Sequence, residues 1–300
     1  VRVSGSSAVK VIVVDNDSPD GTADLVEQLH PEVSLIRSGE NGGFAAGNNL
    51  GLRRAAGEWV LLLNPDAILQ PGALDSLVSY LDAHSRVGCV GPGMDDDRPN
   101  RLHWPEPFMT PGMAVWYALS LQRVLPLNRI DGARTLLWKA PSKSVRVERL
   151  IGAALLLRRS ALDEVGLMDE RFFLYSEEED LQFRLALAGW ETHYEPLARV
   201  KHIGGGSSRF TAPVAMASAN WSRYLFVRKH FGRLAGEMTR IVWCIATFAR
   251  MILAILLFAT PGFRERMRGY RLSLASLLIP GYFERHLRPP RKSLVATVSQ

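Results

Sequence analysis

The sequence predicts an α/β fold with a mostly parallel sheet flanked by helices, and three observations carry that expectation. Residues 11–14 of the run at 9–14, and the run at 59–63, are continuously apolar, as strands covered on both faces are, and do not alternate. Helical patterns separate the strands along the first half of the chain, the arrangement of strand-helix-strand units. Both runs end in carboxylates and amides, Asp15-Asn16-Asp17 and Asn64-Pro65-Asp66, at the strand ends where open α/β sheets take their ligands.

In chain order, residues 9–14 form a buried strand, and residues 22–29, apolar at Ala23, Leu25, Val26 and Leu29, form a helix over it. A short strand follows at 33–36, then a helix at 44–56, the second buried strand at 59–63, and a helix at 74–81 introduced by Pro71. Between residues 95 and 144 the periodicity fails. Pro99, Pro105, Pro107, Pro111 and Pro141 punctuate this stretch, and Trp104, Trp116 and Trp138 are scattered through it, so it reads as a variable region flanking a site. Order returns with a strand at 150–157, a helix at 178–188 stopped by Gly189, and short strands at 191–194 and 198–202. With the helical tail from Trp221 onward, these spans set a catalytic unit at residues 1–208 and a helical, basic, membrane-associating segment at 209–300.

The formal net charge of +6 conceals an asymmetry: residues 201–300 hold 16 Lys/Arg against 3 Asp/Glu, and the first 200 residues are net acidic. The basic residues alternate with apolar stretches at 241–249 and 251–260, which fits an anionic membrane surface and argues against a nucleic-acid partner. Arg250 divides what would otherwise be an apolar run long enough to span a bilayer, and a charge in mid-bilayer is costly. The expectation is therefore of helices lying in the interface, with Arg264, Arg266, Arg268 and Arg271 near lipid headgroups. Cys89 and Cys244 each sit alone in an apolar run, without the spacing of a zinc site or redox pair, and suit a reducing cytosol. The start at Val1 lacks the pattern of a secretory signal and reads as truncated. These features place the chain at the cytoplasmic face of the plasma membrane, peripheral or monotopic.

Asp15 can accept from a base or ribose, with Asn16 and Asp17 beside it, although Asp17 and Ser18 also suit plain helix capping. Residues 40–49 enter a helix through small side chains that let phosphate approach the backbone, which nominates Asn41, Gly42, Gly43, Asn48 and Asn49 as nucleotide-sugar contacts. The glycine spacing matches neither the dinucleotide fingerprint nor a Walker loop, so dehydrogenase and P-loop classes are excluded. Asp66, next to Asn64 at the end of the second buried strand, is a candidate ligand for Mg²⁺ or Mn²⁺, which bind through one or two carboxylates plus substrate phosphate. Glu177-Glu178-Glu179-Asp180 places four acids in one helical turn, more than a helix dipole requires, so one is a candidate general base. His202, at a strand end before a run of glycines, is a candidate metal ligand.

Four segments, in this order, resemble family 2 glycosyltransferases, in particular the bacterial rhamnosyltransferase-like branch. They are Val-Val-Asp-Asn-Asp-Ser-Pro-Asp-Gly-Thr at 13–22, Asn-Gly-Gly-Phe-Ala-Ala-Gly-Asn-Asn-Leu-Gly at 41–51, Leu-Leu-Asn-Pro-Asp-Ala at 62–67 and Glu-Glu-Glu-Asp-Leu-Gln-Phe-Arg-Leu at 177–185. The resemblance covers roughly residues 9–208 and implies a GT-A-like fold. It implies inverting transfer of a hexose from a UDP- or dTDP-sugar to a cell-envelope glycan or a polyprenyl-diphosphate-linked acceptor. By the same resemblance Asp15 contacts the nucleobase, Asp66 stands in the family's Asp-x-Asp motif and holds the metal and donor diphosphate, and His202 is the late metal-binding histidine. The family's usual base falls on Glu178, with Asp180 two residues on as the alternative. There are two departures: Asn64 replaces the first carboxylate of Asp-x-Asp, and the family's opening strand and helix would precede Val1.

Other classes stay open at this level. A sugar nucleotidyltransferase would share the sheet, metal and nucleotide site, but residues 41–47 carry no Lys or Arg to grip a triphosphate. An inactive, truncated nucleotide-sugar-binding membrane protein would bind donor without turnover.

Overall fold

The computed structural model of the chain describes residues 9–95, 105–136, 139–202, 212–256 and 262–288. Pro99, Trp104, Trp138, the glycine run at 203–208 and the end of the second apolar stretch at 257–260 lie outside the described residues.

The first half of the chain runs β1 (Ile12–Asp15), α1 (Thr22–Leu29), β2 (Ser34–Arg37), α2 (Gly43–Arg54), β3 (Trp59–Leu63), β4 (Ala67–Leu69), α3 (Ala73–Ala83) and β5 (Val87–Asp95). It continues through α4 (Pro111–Ala118), β6 (Leu127–Ile130), β7 (Ala133–Leu136), β8 (Val145–Val147), β9 (Ala154–Arg158), α5 (Arg159–Val165), α6 (Glu177–Leu187) and β10 (Glu191–His202). Two long helices, α7 (Ala212–Leu256) and α8 (Phe263–Leu278), follow. The stretch at 95–144, expected to be irregular, includes among its described residues the helix α4, a 3-10 turn at Leu121–Arg123 and the strands β6 and β7.

The α/β class with flanking helices holds, but the expected mostly parallel pairing is corrected. β1 and β2 pair in parallel as a separate two-stranded sheet, and the larger sheet runs β3-β9-β5-β10-β8-β6-β7 with β4 on β10. Among the described residues of this sheet only β5 and β10 pair in parallel; the other pairs are antiparallel. The alternation of strands and helices early in the chain reports local crossovers. It is blind to β9, which comes from far along the chain and inserts antiparallel between β3 and β5.

β5 is the strand the sequence pattern conceals, because Gly88, Gly91, Pro92 and Gly93 look like loop punctuation although residues 87–93 are all buried. The glycines make room for crossing side chains: a Cβ on Gly91 would stand 2.7 Å from Leu150 Cδ1. Pro92 has no N–H for the ladder, and β10 bulges opposite it, the register passing from Glu195↔Pro92 to Arg199↔Gly93. That bulge makes one strand of 12 residues look like two short ones in the sequence.

Alternating residues of β9 serve opposite faces of the sheet, as the pleat requires. Leu155 and Leu157 pack with Ala45, Leu52, Leu162, Leu181 and Leu185 from α2, α5 and α6, whereas Leu156 packs with Leu77 and Leu81 of α3.

α7 breaks at Gly232, whose φ of 90° and ψ of 169° lie in a region closed to other residues. Its first half packs Phe226 and Val227 against Met109 and Phe172, and Trp243 of its second half packs against Ala118 of α4 and Leu277 of α8. Leu234, Met238, Ile241, Ile245, Phe248, Ile252 and Ile255 recur every three or four residues along the second half and are exposed, while Gly236, Thr239, Trp243 and Thr247 face inward. Among the described residues α7 is the one helix long and apolar enough to cross a membrane. Arg250 turns away from the apolar stripe: its guanidinium donates to the carbonyls of Tyr117 and Ala118 and to Ser120 Oγ, at the C-terminal end of α4, where a cation is favoured.

Candidate active site

Three groups of residues build the site. At the end of β1, Asp15 accepts the Ser18 amide at 3.3 Å and closes the turn toward α1. Neither Asp17 nor Ser18 is the N-cap of α1, which is Gly21 without a side-chain cap; Asp20 before it accepts from the Thr22 amide at 3.1 Å and hydroxyl at 2.6 Å, and Asp17 is exposed, with a left-handed φ of 63°. Asn16 reaches across to the glycine-rich entry of α2. Its amide donates to Asn41 Oδ1 (3.2 Å) and the Gly43 carbonyl (3.1 Å), and its Oδ1 accepts the Gly42 amide (3.2 Å). Gly43 has no substitute, because at φ 87° a Cβ would lie 2.3 Å from the Phe173 carbonyl oxygen. Asp15, Asn16, Asn41, Gly42 and Gly43 are therefore brought to one corner.

The second group sits where β3 ends. The turn Asn64-Pro65-Asp66 leads into β4, which pairs antiparallel with the end of β10 so that Ala67 is opposite His202. This places Asp66 Oδ1 3.3 Å from His202 Nε2, both side chains largely enclosed. Adjacent donor atoms on an octahedral Mg²⁺ with bonds of about 2.0–2.1 Å stand roughly 3 Å apart, so one oxygen and one imidazole nitrogen at this separation fit two positions of a hard or borderline divalent ion. Among the described residues no group of three or more His, Cys, Asp or Glu side chains converges, so the remaining positions would fall to donor phosphate and water.

The third group is the acidic turn of α6. Tyr175 (φ 72°) and Ser176 (φ 64°) lead into it in consecutive left-handed conformations, strain of the kind that functional sites retain. The four acids then have four different surroundings. Glu177 is buried, and enclosure together with the Glu178 charge raises its pKa well above the usual carboxylate value. Glu179 accepts the Met109 amide at 2.6 Å and lies 3.6 Å from Arg149 Nε. Asp180, fully enclosed, accepts from Arg184 Nε (2.9 Å), Lys229 Nζ (2.5 Å) and His230 Nε2 (2.7 Å). Burial opposes its charge, but these bonds prevail and hold its carboxyl below the usual range. Glu178 alone of the two base candidates faces a cavity, of about 350 Å³, and burial pushes its carboxyl up to about 7 against the opposing pull of Arg149, 3.9 Å away.

The loop before β9 joins the groups. The Ala153 carbonyl accepts the Asn64 amide at 2.9 Å, and Gly152 leaves just enough room beside Glu178, whose Cβ and Cγ would stand 3.4 Å from an added Cβ, with the Phe44 ring at 3.6 Å.

Two nominated residues have their side-chain amides bonded within the scaffold. Asn48 donates to the Phe44 carbonyl one turn back, and Asn49, buried, uses both ends of its amide on the Met168 backbone (2.9 and 3.0 Å) and on Glu170 (3.0 Å). Asp180, the alternative base candidate, has its two oxygens held by three cationic or imidazole donors. Arg149 and Arg223, which line the cavity, have no motif in the sequence; α7, counted with the appended segment, supplies one cavity wall.

Asp180→Asn should lower stability by about 3–5 kcal/mol, since it removes the fully enclosed carboxylate that Arg184 and Lys229 share and leaves Lys229 with Asp169 alone. Chemical unfolding reads this directly. A variant as stable as the parent but without turnover would return Asp180 to the chemistry.

The family model described as glycosyl transferase family 2 matches residues 3–166. N-acetylglucosaminyl-diphospho-decaprenol L-rhamnosyltransferase of Mycobacterium tuberculosis is 33% identical over 245 residues, which cover 75% of this chain and 76% of that protein. Rhamnosyltransferase WbbL of Escherichia coli is 26% identical over 213 residues, 67% of this chain and 75% of that one. Among solved structures, the mannosyltransferase PcManGT from Pyrobaculum calidifontis in complex with GDP-Man and Mn²⁺ superposes with a TM-score of 0.52 at 16% identity, over 92% of this chain and 78% of that one, a likeness of fold. The family match spans more than half of the sequence, and the similarity to the mycobacterial enzyme extends across three quarters of both chains. This chain belongs to glycosyl transferase family 2.

Proposed function

We propose that the protein transfers rhamnose, with inversion, from a dTDP- or UDP-activated donor to a diphosphate-linked glycan acceptor carried by a polyprenyl lipid at the cytoplasmic face of the plasma membrane. The observation that carries this reading is the cavity beside Glu178, a carboxyl with its pKa pushed up to about 7, walled by the start of α6, by Arg149 and Ile151, and by α7. The names of the mycobacterial and Escherichia coli relatives support the sugar, and the mycobacterial name supports the lipid diphosphate.

The corner of Asp15, Asn16, Asn41, Gly42 and Gly43 holds the nucleotide, and Asp66 with His202 holds Mg²⁺ or Mn²⁺ against the diphosphate. When bound, such an ion stabilises the negative charge of the departing nucleoside diphosphate. Glu178 takes the proton of the acceptor hydroxyl as that oxygen attacks the anomeric carbon, and the bond to the diphosphate oxygen breaks on the opposite side. The exposed apolar stripe of α7 lies in the bilayer interface, and the arginines of α8 meet anionic headgroups.

Asp66→Ala and His202→Ala should each weaken Mn²⁺-dependent donor binding by more than about tenfold, roughly 1.4 kcal/mol, in calorimetric titrations with and without EDTA. Donor affinity that ignores both substitutions would remove the metal role.

Glu178 acts as a base only when ionised, so kcat/KM should rise with pH through about 7 and level off above it. Glu178→Gln should lower kcat by about 10²–10⁴ with donor KM unchanged and should abolish that rise. A variant that keeps the same pH profile would assign the base elsewhere. The stability effect has the opposite sense. Folded Glu178 keeps its proton to about 7 while an unfolded glutamate loses it near 4.5, so its contribution to stability falls as pH rises through that window.

Replacing Ile241, Ile245, Phe248 and Ile252 together by Ser should reduce co-sedimentation with phosphatidylglycerol vesicles by at least about tenfold while leaving donor binding intact. Unchanged vesicle binding would mean that the stripe packs against protein.

A further inference from the structure

The cavity beside Glu178 has two cations in its wall, and they are not equivalent. Arg149 is surrounded by acids: it pairs with Glu106, stands 3.6 Å from Glu179 and 3.9 Å from Glu178, and donates to the Pro107 carbonyl at 3.2 Å. Arg223 has no carboxylate within ion-pair distance among the described residues. Its guanidinium donates to Asn220 Oδ1 at 3.3 Å and lies 4.9 Å over the ring of Trp243. Burial holds that guanidinium below the usual arginine range, the mark of an enclosed charge without close compensation. An enclosed cation of this kind is stabilised by an anion, and a guanidinium fork matches a phosphoryl group in particular.

Arg223 also has the right neighbours. Ala215, Met216, Ala219 and Arg223 line the cavity from successive turns of one face of α7, and the two alanines leave the space open. The clamp of Lys229 and His230 on Asp180 ties this half of α7 to α6, so Arg223 and Glu178 stand on two helices locked together. Beyond Gly232 the same helix continues into the exposed apolar stripe. A molecule with a hydroxyl at Glu178 and a lipid tail in the membrane would carry its phosphate past Arg223.

We propose that Arg223 binds the phosphoryl group of the lipid-linked acceptor, making this α7-walled cavity an acceptor-diphosphate subsite separate from the donor diphosphate at Asp66. The assignment rests on the reading of Glu178 as the base at the acceptor hydroxyl.

The test titrates the full chain and its Arg223→Gln and Arg223→Lys variants with geranyl diphosphate, inorganic pyrophosphate and, with Mn²⁺, dTDP. The expected result is geranyl diphosphate binding that falls at least about tenfold in R223Q and several-fold in R223K, weak pyrophosphate binding in the parent, and dTDP binding unchanged in all three. Equal geranyl diphosphate affinity in parent and variants, or none in the parent, overturns the proposal. Pyrophosphate bound as tightly as geranyl diphosphate overturns the lipid assignment, and dTDP weakened in parallel assigns Arg223 to the donor. If thermal unfolding shows R223Q to be misfolded, R223K decides, since it keeps the charge and loses the fork. No donor sugar enters these titrations, so failure of rhamnosyl transfer and failure of the subsite are read separately.

Discussion

The enclosed carboxylate of Asp180 holds the active site together. It draws Lys229 and His230 of α7 and Arg184 of its own helix onto two oxygens, and Lys229 also reaches Asp169 at 2.8 Å. Such a cluster is tolerable only when every member is paired, because each charge removed from water must recover its hydration from its partners. The pairing fixes the distance between the helix that carries Glu178 and the helix that walls the cavity.

α6 distributes its polar residues to make further ties of this kind. Gln182, wholly enclosed, exchanges two hydrogen bonds with the Leu150 backbone, at 2.7 and 2.8 Å. Glu179 holds the Met109 amide, and the Gly152-Ala153 turn that follows Leu150 carries the contact on to Asn64 and Phe44. Beside these committed neighbours Glu178 faces open volume, and burial raises its pKa against the opposing pull of Arg149 at 3.9 Å. A carboxyl whose pKa is set by its surroundings needs rigid surroundings, which the strained Tyr175-Ser176 entry and the packed core beneath α6 provide.

α7 has two unlike halves. One half is integrated with the catalytic fold through Phe226, Val227 and the Asp180 clamp, and the other turns an apolar stripe outward after the break at Gly232. The inward face of that second half carries Gly, Thr and Trp, the reverse of a soluble helix, and Arg250 is drawn to the end of α4 and away from the stripe.

By itself the sequence determined the family motifs, the identity of the first helices and strands, and the residue types at the strand ends, because each depends on short-range pattern: continuous apolar runs, glycines before a helix, acids in one turn. It also pointed to Asp66, His202 and Glu178, which the fold then placed in two enclosed positions. Only the tertiary structure decided which of the two base candidates faces the cavity, since Asp180 differs from Glu178 in partners supplied by residues up to 50 positions away. The same holds for the antiparallel insertion of β9, for β5 hidden behind its glycines and Pro92, for Asn49 as a core tie and for Arg149 and Arg223 as cavity cations. Local propensity and periodicity reach a few residues along the chain, whereas burial and charge compensation are set by what the folded chain brings alongside.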